Sequence, residues 1–519
     1  MPSCRYYPFL IILLGYALLQ SLCFTEMGAV GEVAIGWSQT PNMVISTNPT
    51  HYDSGVDWGI LRARETRPTE LLNIGPVQIP LAINSYTSAL PDWPSRVLYQ
   101  LIPDPNILKL WHITMGAMLL ILVARLFQKR IAIPMMLLLA TDWSFLIYKH
   151  LLGATEICLQ LASIGLIWTI YHRKDWGWFI FCTLLGIQAK LTFIFVAIPT
   201  FLCILIFRVK LPKQKIALGL GIGLLLLLPL ILAAIHHSQV SSQVQSHDGF
   251  GMQWNRITQA LQFRNTPALR EQTSNLIAWL VDPISFYERI YKRPHPHLYT
   301  RGLRILGWIC LGLCLIKNRK NTTMWMWTAI FAIQAISISL GPKDLHHFAM
   351  IVPTFALWMS MVISGQKRMI LWLCPFVVSS ILFNFNTDGL YKKIDTPTFT
   401  QSKQQALITL LEHHKVQRLL TMDYEIYGVL EYHQSNIDII HGWPAISHQR
   451  YRALPHLLEE RGEGHVIVLK ASMPMRYNLR PNKNQLETAA KKRGLLIEDL
   501  MESKDISIYR IYNPATELP

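Results

Sequence analysis

Charge is scarce in this chain. Only 15% of its 519 residues are charged, against about 25% in soluble proteins, and that argues for a membrane protein. Cysteine is missing from the long polar stretches and from the C-terminal part. The eight are Cys4, Cys23, Cys158, Cys182, Cys203, Cys310, Cys314 and Cys374; all but Cys4 lie in or beside hydrophobic runs, where cysteine acts as a small apolar residue. That excludes a disulfide framework and a cysteine zinc site. There is no His-Glu-x-x-His, no nucleophile elbow and no glycine-rich phosphate fingerprint at a strand–helix turn. A zinc protease, a serine hydrolase and a nucleotide-binding enzyme therefore lack motif support. No small-x-small site follows the first hydrophobic run, and Ser21-Leu22-Cys23 lacks the small residue a lipoprotein site needs. An uncleaved first span is expected.

What is abundant is apolar sequence, 51% of the chain, gathered into runs near the 17–25 residues that crossing a bilayer requires. The candidate spans are 8–24, 108–127, 131–148, 153–171, 176–189, 191–207, 216–235, 303–316, 322–340, 348–364 and 369–386. The sequence thus predicts an α-helical multi-pass membrane protein of about eleven spans. With the N-terminus in the cytoplasm, the cytoplasmic connections hold Arg125/Lys129/Arg130, His172/Arg173/Lys174, Arg208/Lys210/Lys213/Lys215, Lys317/Arg319/Lys320 and Lys367/Arg368. All are basic, as the positive-inside rule expects. The net charge of +16 is spread over these short clusters, not over a basic face interleaved with aromatics, so nucleic acid is not the expected partner.

Two long connections fall on the outer side. Residues 25–107 carry Trp37, Trp58, Tyr86 and Trp93, which suits an ordered surface against lipid headgroups. Residues 236–302 read as amphipathic helices, Trp254, Ile257, Leu261 and Phe263 in one and Leu276, Trp279 and Leu280 in the next, expected to lie in the interface. Lys292 and Arg293 put positive charge on the outer side, which suits a phosphate partner. The sequence thus divides into a membrane domain, 1–387, and an extracytoplasmic α/β domain, 388–519. In the latter, helices at 402–415, 424–433, 445–461 and 483–494 alternate with strands at 417–421, 436–440, 465–470 and 505–512, a pattern that predicts a small parallel layer.

Ionisable residues at membrane depth are costly, so they are functional candidates. Glu156 and Lys190 stand at the outer ends of their spans, on the side of the 25–107 loop; snorkelling to the interface is the alternative. The loop's carboxylates are Glu26, Glu32, Asp53, Asp57, Glu65, Glu70, Asp92 and Asp104, most of them expected on a solvated surface. Asp53 and Asp57 would share a face if their segment is helical. The histidines, His236-His237, His295-Pro296-His297 and His346-His347 near Asp344, have spacings too general to define a metal site.

The order of segments resembles the GT-C superfamily of membrane glycosyltransferases, in particular family-39-like members of the protein mannosyltransferase and aminoarabinose transferase type. Four stretches carry the resemblance over roughly residues 8–365. Pro80 through Leu90 precedes Ser95-Arg96 and the second span. Leu139 through Phe145 is followed by Ala154-Thr155-Glu156. Gly186 to Lys190 looks like the family's Gly-x-x-x-Lys at paired short spans. His347-Phe348 to Pro353 is similar to its Arg-Tyr-x-x-x-x-Pro segment. The family's acidic pair soon after the first span is absent here; Glu26 has the proximity and Asp53 the residue type.

The resemblance implies inverting transfer of a sugar from a polyprenyl-phosphate carrier to a lipid, glycan or protein acceptor outside the cytoplasmic membrane. Asp53 would be the general base, with Glu26 and Asp57 as the other catalytic candidates. Glu156, Lys190, Tyr86, Lys292, Arg293 and His347 would bind substrate. Some relatives use a divalent cation, and these residues do not decide that point. A transporter or flippase for a lipid-linked saccharide is the rival reading, but it favours internal repeats and mid-membrane charges. No repeat is seen, and the charges sit at span ends. A non-catalytic assembly protein is the third reading.

Overall fold

The computed structural model describes residues 7–22, 71–74, 77–80, 82–84, 87–102, 105–142, 145, 154–241, 276–277, 279–281, 298–340, 345–364, 366, 369–393, 401–421, 437–441, 452, 454–469, 481–502 and 506–515. Most of this is helix. From the N-terminus come α1 (Tyr7–Leu22), α2 (Trp93–Leu101), α3 (Pro105–Leu126), α4 (Lys129–Thr141), α5 (Ala154–Tyr171), α6 (Trp176–Ala189), α7 (Ile194–Ile206) and α8 (Ile216–Ser241). Then follow α9 (Leu298–Lys317), α10 (Thr322–Leu340), α11 (Val352–Ile363) and α12 (Met369–Lys393). Each predicted span coincides with one of these helices in whole or part. The last helix runs on to Lys393, past the change of composition at 388.

Two helices, Tyr299–Lys317 and Thr322–Leu340, are long and apolar enough to cross a membrane; eight further apolar helices of 10–17 residues accompany them among the described residues. One continuous apolar core runs from Ile12 to Phe376. Polar side chains are threaded through it, and some cross-link its elements: Gln334 donates to Thr200 Oγ1 at 2.7 Å, joining α10 to α7, and Ser163 donates to the Met350 carbonyl at 2.5 Å. That second bond fixes the 3₁₀ turn Leu345–Ile351 against α5. Trp279, from the second of the predicted amphipathic helices, is buried in this core, stacked on Phe348 at 5.1 Å and edge-on to Phe355. Aromatic pairing within a packed core is the more favourable site for its ring.

The start of α6 is tied to the start of α8 through one carboxylate. Asp175 caps α6 by accepting from Gly177 N, and the same oxygen accepts from Lys215 N, both at 2.9 Å. The two helices then approach closely through glycine, a common device of membrane helix pairs. A Cβ at Gly219 would stand 2.0 Å from the Gly177 carbonyl oxygen, whereas one at Gly221 meets nothing within 4 Å. Gly219→Val is therefore expected to destabilise by at least about 1–3 kcal/mol, the usual cost of overpacking, while Gly221→Ala is silent. Thermal unfolding of the purified protein checks this; equal melting temperatures for both variants would contradict the packing.

The C-terminal part has its own cores, one on each face of a sheet. Its elements are α13 (Gln401–His413), a strand Arg418–Thr421, a strand Asp438–His441, α14 (Leu454–Arg461), a strand Gly464–Leu469, α15 (Lys483–Lys491) and two last strands, Leu496–Glu502 and Ile506–Tyr512. The predicted helix 424–433 lies outside the described residues. The sheet is mixed, not parallel. Arg418–Thr421 is flanked by Asp438–His441 and Gly464–Leu469, both parallel to it, but Ile506–Tyr512 runs antiparallel to Gly464–Leu469 and to Leu496–Glu502. The connection at 503–505 is the reason: so short a link makes a hairpin, whereas a parallel pair needs a crossover of about a dozen residues.

Candidate functional site

Leu71–Ile74 pairs antiparallel with Val77–Pro80, and Ala82–Asn84 with Thr87–Ser88. The chain then enters a 3₁₀ turn, Leu90–Asp92, and α2. Pro91 and Pro94 fix φ on either side of Asp92, so the turn is stiff. It packs against α5 and α6. Gln188 Nε2 donates to Ser88 Oγ at 2.8 Å, and Ser88 Oγ also accepts from Leu90 N at 3.1 Å.

At this junction the first turn of α5 meets the residue that ends α6. Lys190 Nζ stands 3.6 Å from Glu156 Oε1, the two side chains 11% and 12% exposed. The separation is beyond the 2.7–2.9 Å of a charge-assisted hydrogen bond, so the pair is Coulombic. Among the described residues, both charges keep hydrogen-bonding capacity for a ligand. Lys190 holds an extended backbone between α6 and the 3₁₀ turn Leu191–Phe193, and its N–H donates to the Gly186 carbonyl at 2.9 Å. Gly186 is required there, because a Cβ would lie 2.1 Å from the Phe193 ring.

Asp92 completes the cluster; it is one of the first-loop carboxylates, most of which were expected on a solvated surface. It is fully buried, and among the described residues neither carboxyl oxygen has a hydrogen-bond partner. It occupies the N-cap of α2 without making the side-chain cap usual for aspartate. Burial, and then the charge of Glu156, push its carboxyl well above the usual carboxylate range. A buried carboxyl without hydrogen bonds is stable only as the neutral acid. The missed signal was the Leu90-Pro91-Asp92-Trp93-Pro94 turn, rigid and apolar around a single acid. Thr155 Oγ1, Thr192 Oγ1 and Gln188 Oε1, beside these residues in sequence, are also buried without partners among the described residues.

Of the other candidates, His347 is buried in the 3₁₀ turn Leu345–Ile351. Arg96 is buried in α2, and burial lowers the proton affinity of its guanidinium. Its neighbour Ser95 lies 3.5 Å from His112 Nε2. Asp142 ends α4, accepts from Phe145 N at 3.2 Å, and lines a cavity with Arg304 and Ser380 that has room for about one water. Glu26, Asp53, Asp57, Tyr86, Lys292 and Arg293 lie outside the described residues, as do His295 and His297. No group of three or more potential metal-ligating side chains occurs among the described residues.

The cluster therefore offers an ammonium, a carboxylate and a neutral carboxylic acid at one end of a helix pair. A cation can hold an anionic group, and the two carboxyls can accept or hold protons. Compared with known protein families the sequence matches none, and compared with curated proteins it has no significant match.

Proposed function

We propose that this chain is a multi-pass membrane glycosyltransferase that moves a sugar, with inversion, from a polyprenyl-phosphate carrier to an acceptor outside the cytoplasmic membrane. The observation that carries the reading is the Glu156–Lys190 pair, with Asp92 beside it, at the junction of the first loop with α5 and α6. In this scheme an acceptor hydroxyl attacks the anomeric carbon while the bond from that carbon to the phosphate oxygen breaks. The electron pair leaves with the lipid phosphate, whose developing charge Lys190 stabilises. A first-loop carboxylate, Asp53 by the resemblance, takes the hydroxyl proton.

Membrane embedding is supported by an inverted surface. Leu10, Ile11, Leu14 and Leu18 of α1 face outward, as do Ile305, Ile309, Leu313 and Ile316 of α9, while Gln20, Ser163, Gln188 and Gln334 are buried. Aliphatic exposure on this scale suits lipid, not water. In the proposed topology the N-terminus is cytoplasmic, about eleven helices cross, and the C-terminal α/β part lies outside. The test is incubation of purified protein with radiolabelled polyprenyl-phosphate sugars and membrane acceptors. Label moving from the lipid to a new product is the expected result. A folded protein that binds the lipid-linked sugar but leaves it intact would overturn the reading in favour of transport.

A further inference from the structure

We propose that Asp92 is a proton-operated latch over the Glu156–Lys190 pair: as a neutral acid it seats the 87–92 turn between α5 and α6, and on losing its proton to water it drives the turn out and uncovers the pair. Three observations converge. Asp92 is fully buried with both carboxyl oxygens unpartnered, so its anion has nothing among the described residues to replace hydration. It sits at a helix N-cap yet directs no oxygen to the backbone N–H groups there, which forgoes the one local way of holding a charge. A neutral hydrogen bond, Gln188 to Ser88, is among those that hold the turn, and Pro91 and Pro94 let the turn move as one piece.

The groups around Asp92 agree on the direction. From α5 come Glu156 and Cys158, both within electrostatic reach. From the end of α6 comes Lys190, already matched with Glu156. Arg96 lies one turn on in α2, beside Tyr99, and His112 of α3 lies beside Ser95. One ammonium offsets one carboxylate; a second anion raises the repulsion. The closed state, where Asp92 is buried, binds the proton more tightly than the open state, where it meets water. Closure is therefore complete at acid pH, weakens as pH rises above the ordinary carboxylate range, and is weakest above the raised value.

The latch stands whether or not the site transfers a sugar, and its test needs no substrate. Full-length protein in detergent is reacted with a membrane-permeant maleimide, and modification at Cys158 is followed by mass spectrometry. Wild type is compared with Asp92→Asn at each pH; the Asp92 anion, which disfavours a neighbouring thiolate, can only diminish the expected difference. The expected ratio of wild-type to variant rate is near one in acid and rises several-fold with pH, because asparagine mimics the neutral acid and stays seated. Hydrogen exchange at residues 88–92 of the wild type, corrected for its intrinsic pH dependence, is expected to quicken over the same range and does not need the variant. A flat ratio, or exchange that does not change with pH, would overturn the latch.

Discussion

Lys190→Ala is expected to lower sugar transfer by about 10²–10³-fold, the usual loss when one preorganised group that stabilises developing negative charge is removed. Donor binding should weaken with it, because the ammonium meets a phosphate already charged in the ground state. The pair's geometry makes this more than a loss of helix packing. At 3.6 Å the ammonium is held by Glu156 without a hydrogen bond to it, so its N–H donors remain available. Alanine also leaves the Glu156 carboxylate without its counter-charge, beside the neutral Asp92. Lys190→Arg keeps the charge and should retain a substantial fraction of turnover. Steady-state transfer and lipid binding, measured together, check both parts. A Lys190→Ala protein with intact binding and turnover would remove the pair from the chemistry.

Arg461→Met is expected to loosen the C-terminal sheet by about 3 kcal/mol, the low end of the cost of breaking a buried ion pair. Arg461 ends α14 with its side chain wholly buried. One nitrogen donates to the Asp438 carbonyl at 2.6 Å and to the Leu419 carbonyl at 3.2 Å, and the other pairs with the Asp438 carboxylate. A single guanidinium thus joins the helix to two neighbouring parallel strands. Methionine keeps the apolar stem but leaves the carbonyls without donors. Asp438 is half-exposed and close to Arg418 as well, which keeps the effect from being larger. Hydrogen exchange in the full chain reads it: protection at 418–421 and 438–441 should fall about a hundredfold. Unchanged protection would show that the strands hold each other without the arginine.

The helices were legible because their signal is local. The run 176–189 emerges as Trp176–Ala189 and 322–340 as Thr322–Leu340, each ended by a short connection. Glu156 and Lys190 were legible as charges where charge is costly, and the structure brings them together. Asp92 was not. A polar residue between two prolines reads as an exposed turn, and what buries it is contact with α5 and α6, far along the chain. The strand Leu496–Glu502 was missed for another reason. Its register shifts between Asp499 and Met501, so Leu-Ile-Glu-Asp-Leu-Met-Glu lacks the strict alternation by which a half-buried strand is recognised. The strand it would have announced is the one that makes the sheet mixed.

In the proposed reaction Glu156 and Lys190 act on a substrate and do not merely hold two helices together. Exchanging them, Glu156→Lys with Lys190→Glu, tests this most directly. The exchange keeps the net charge and the opposite-sign pair at the same junction, but moves the cation from the end of α6 to the start of α5. The expected result is a protein that keeps its melting temperature within a few degrees and loses transfer about a hundredfold or more. Exchanged protein that transfers sugar at the wild-type rate would contradict the account.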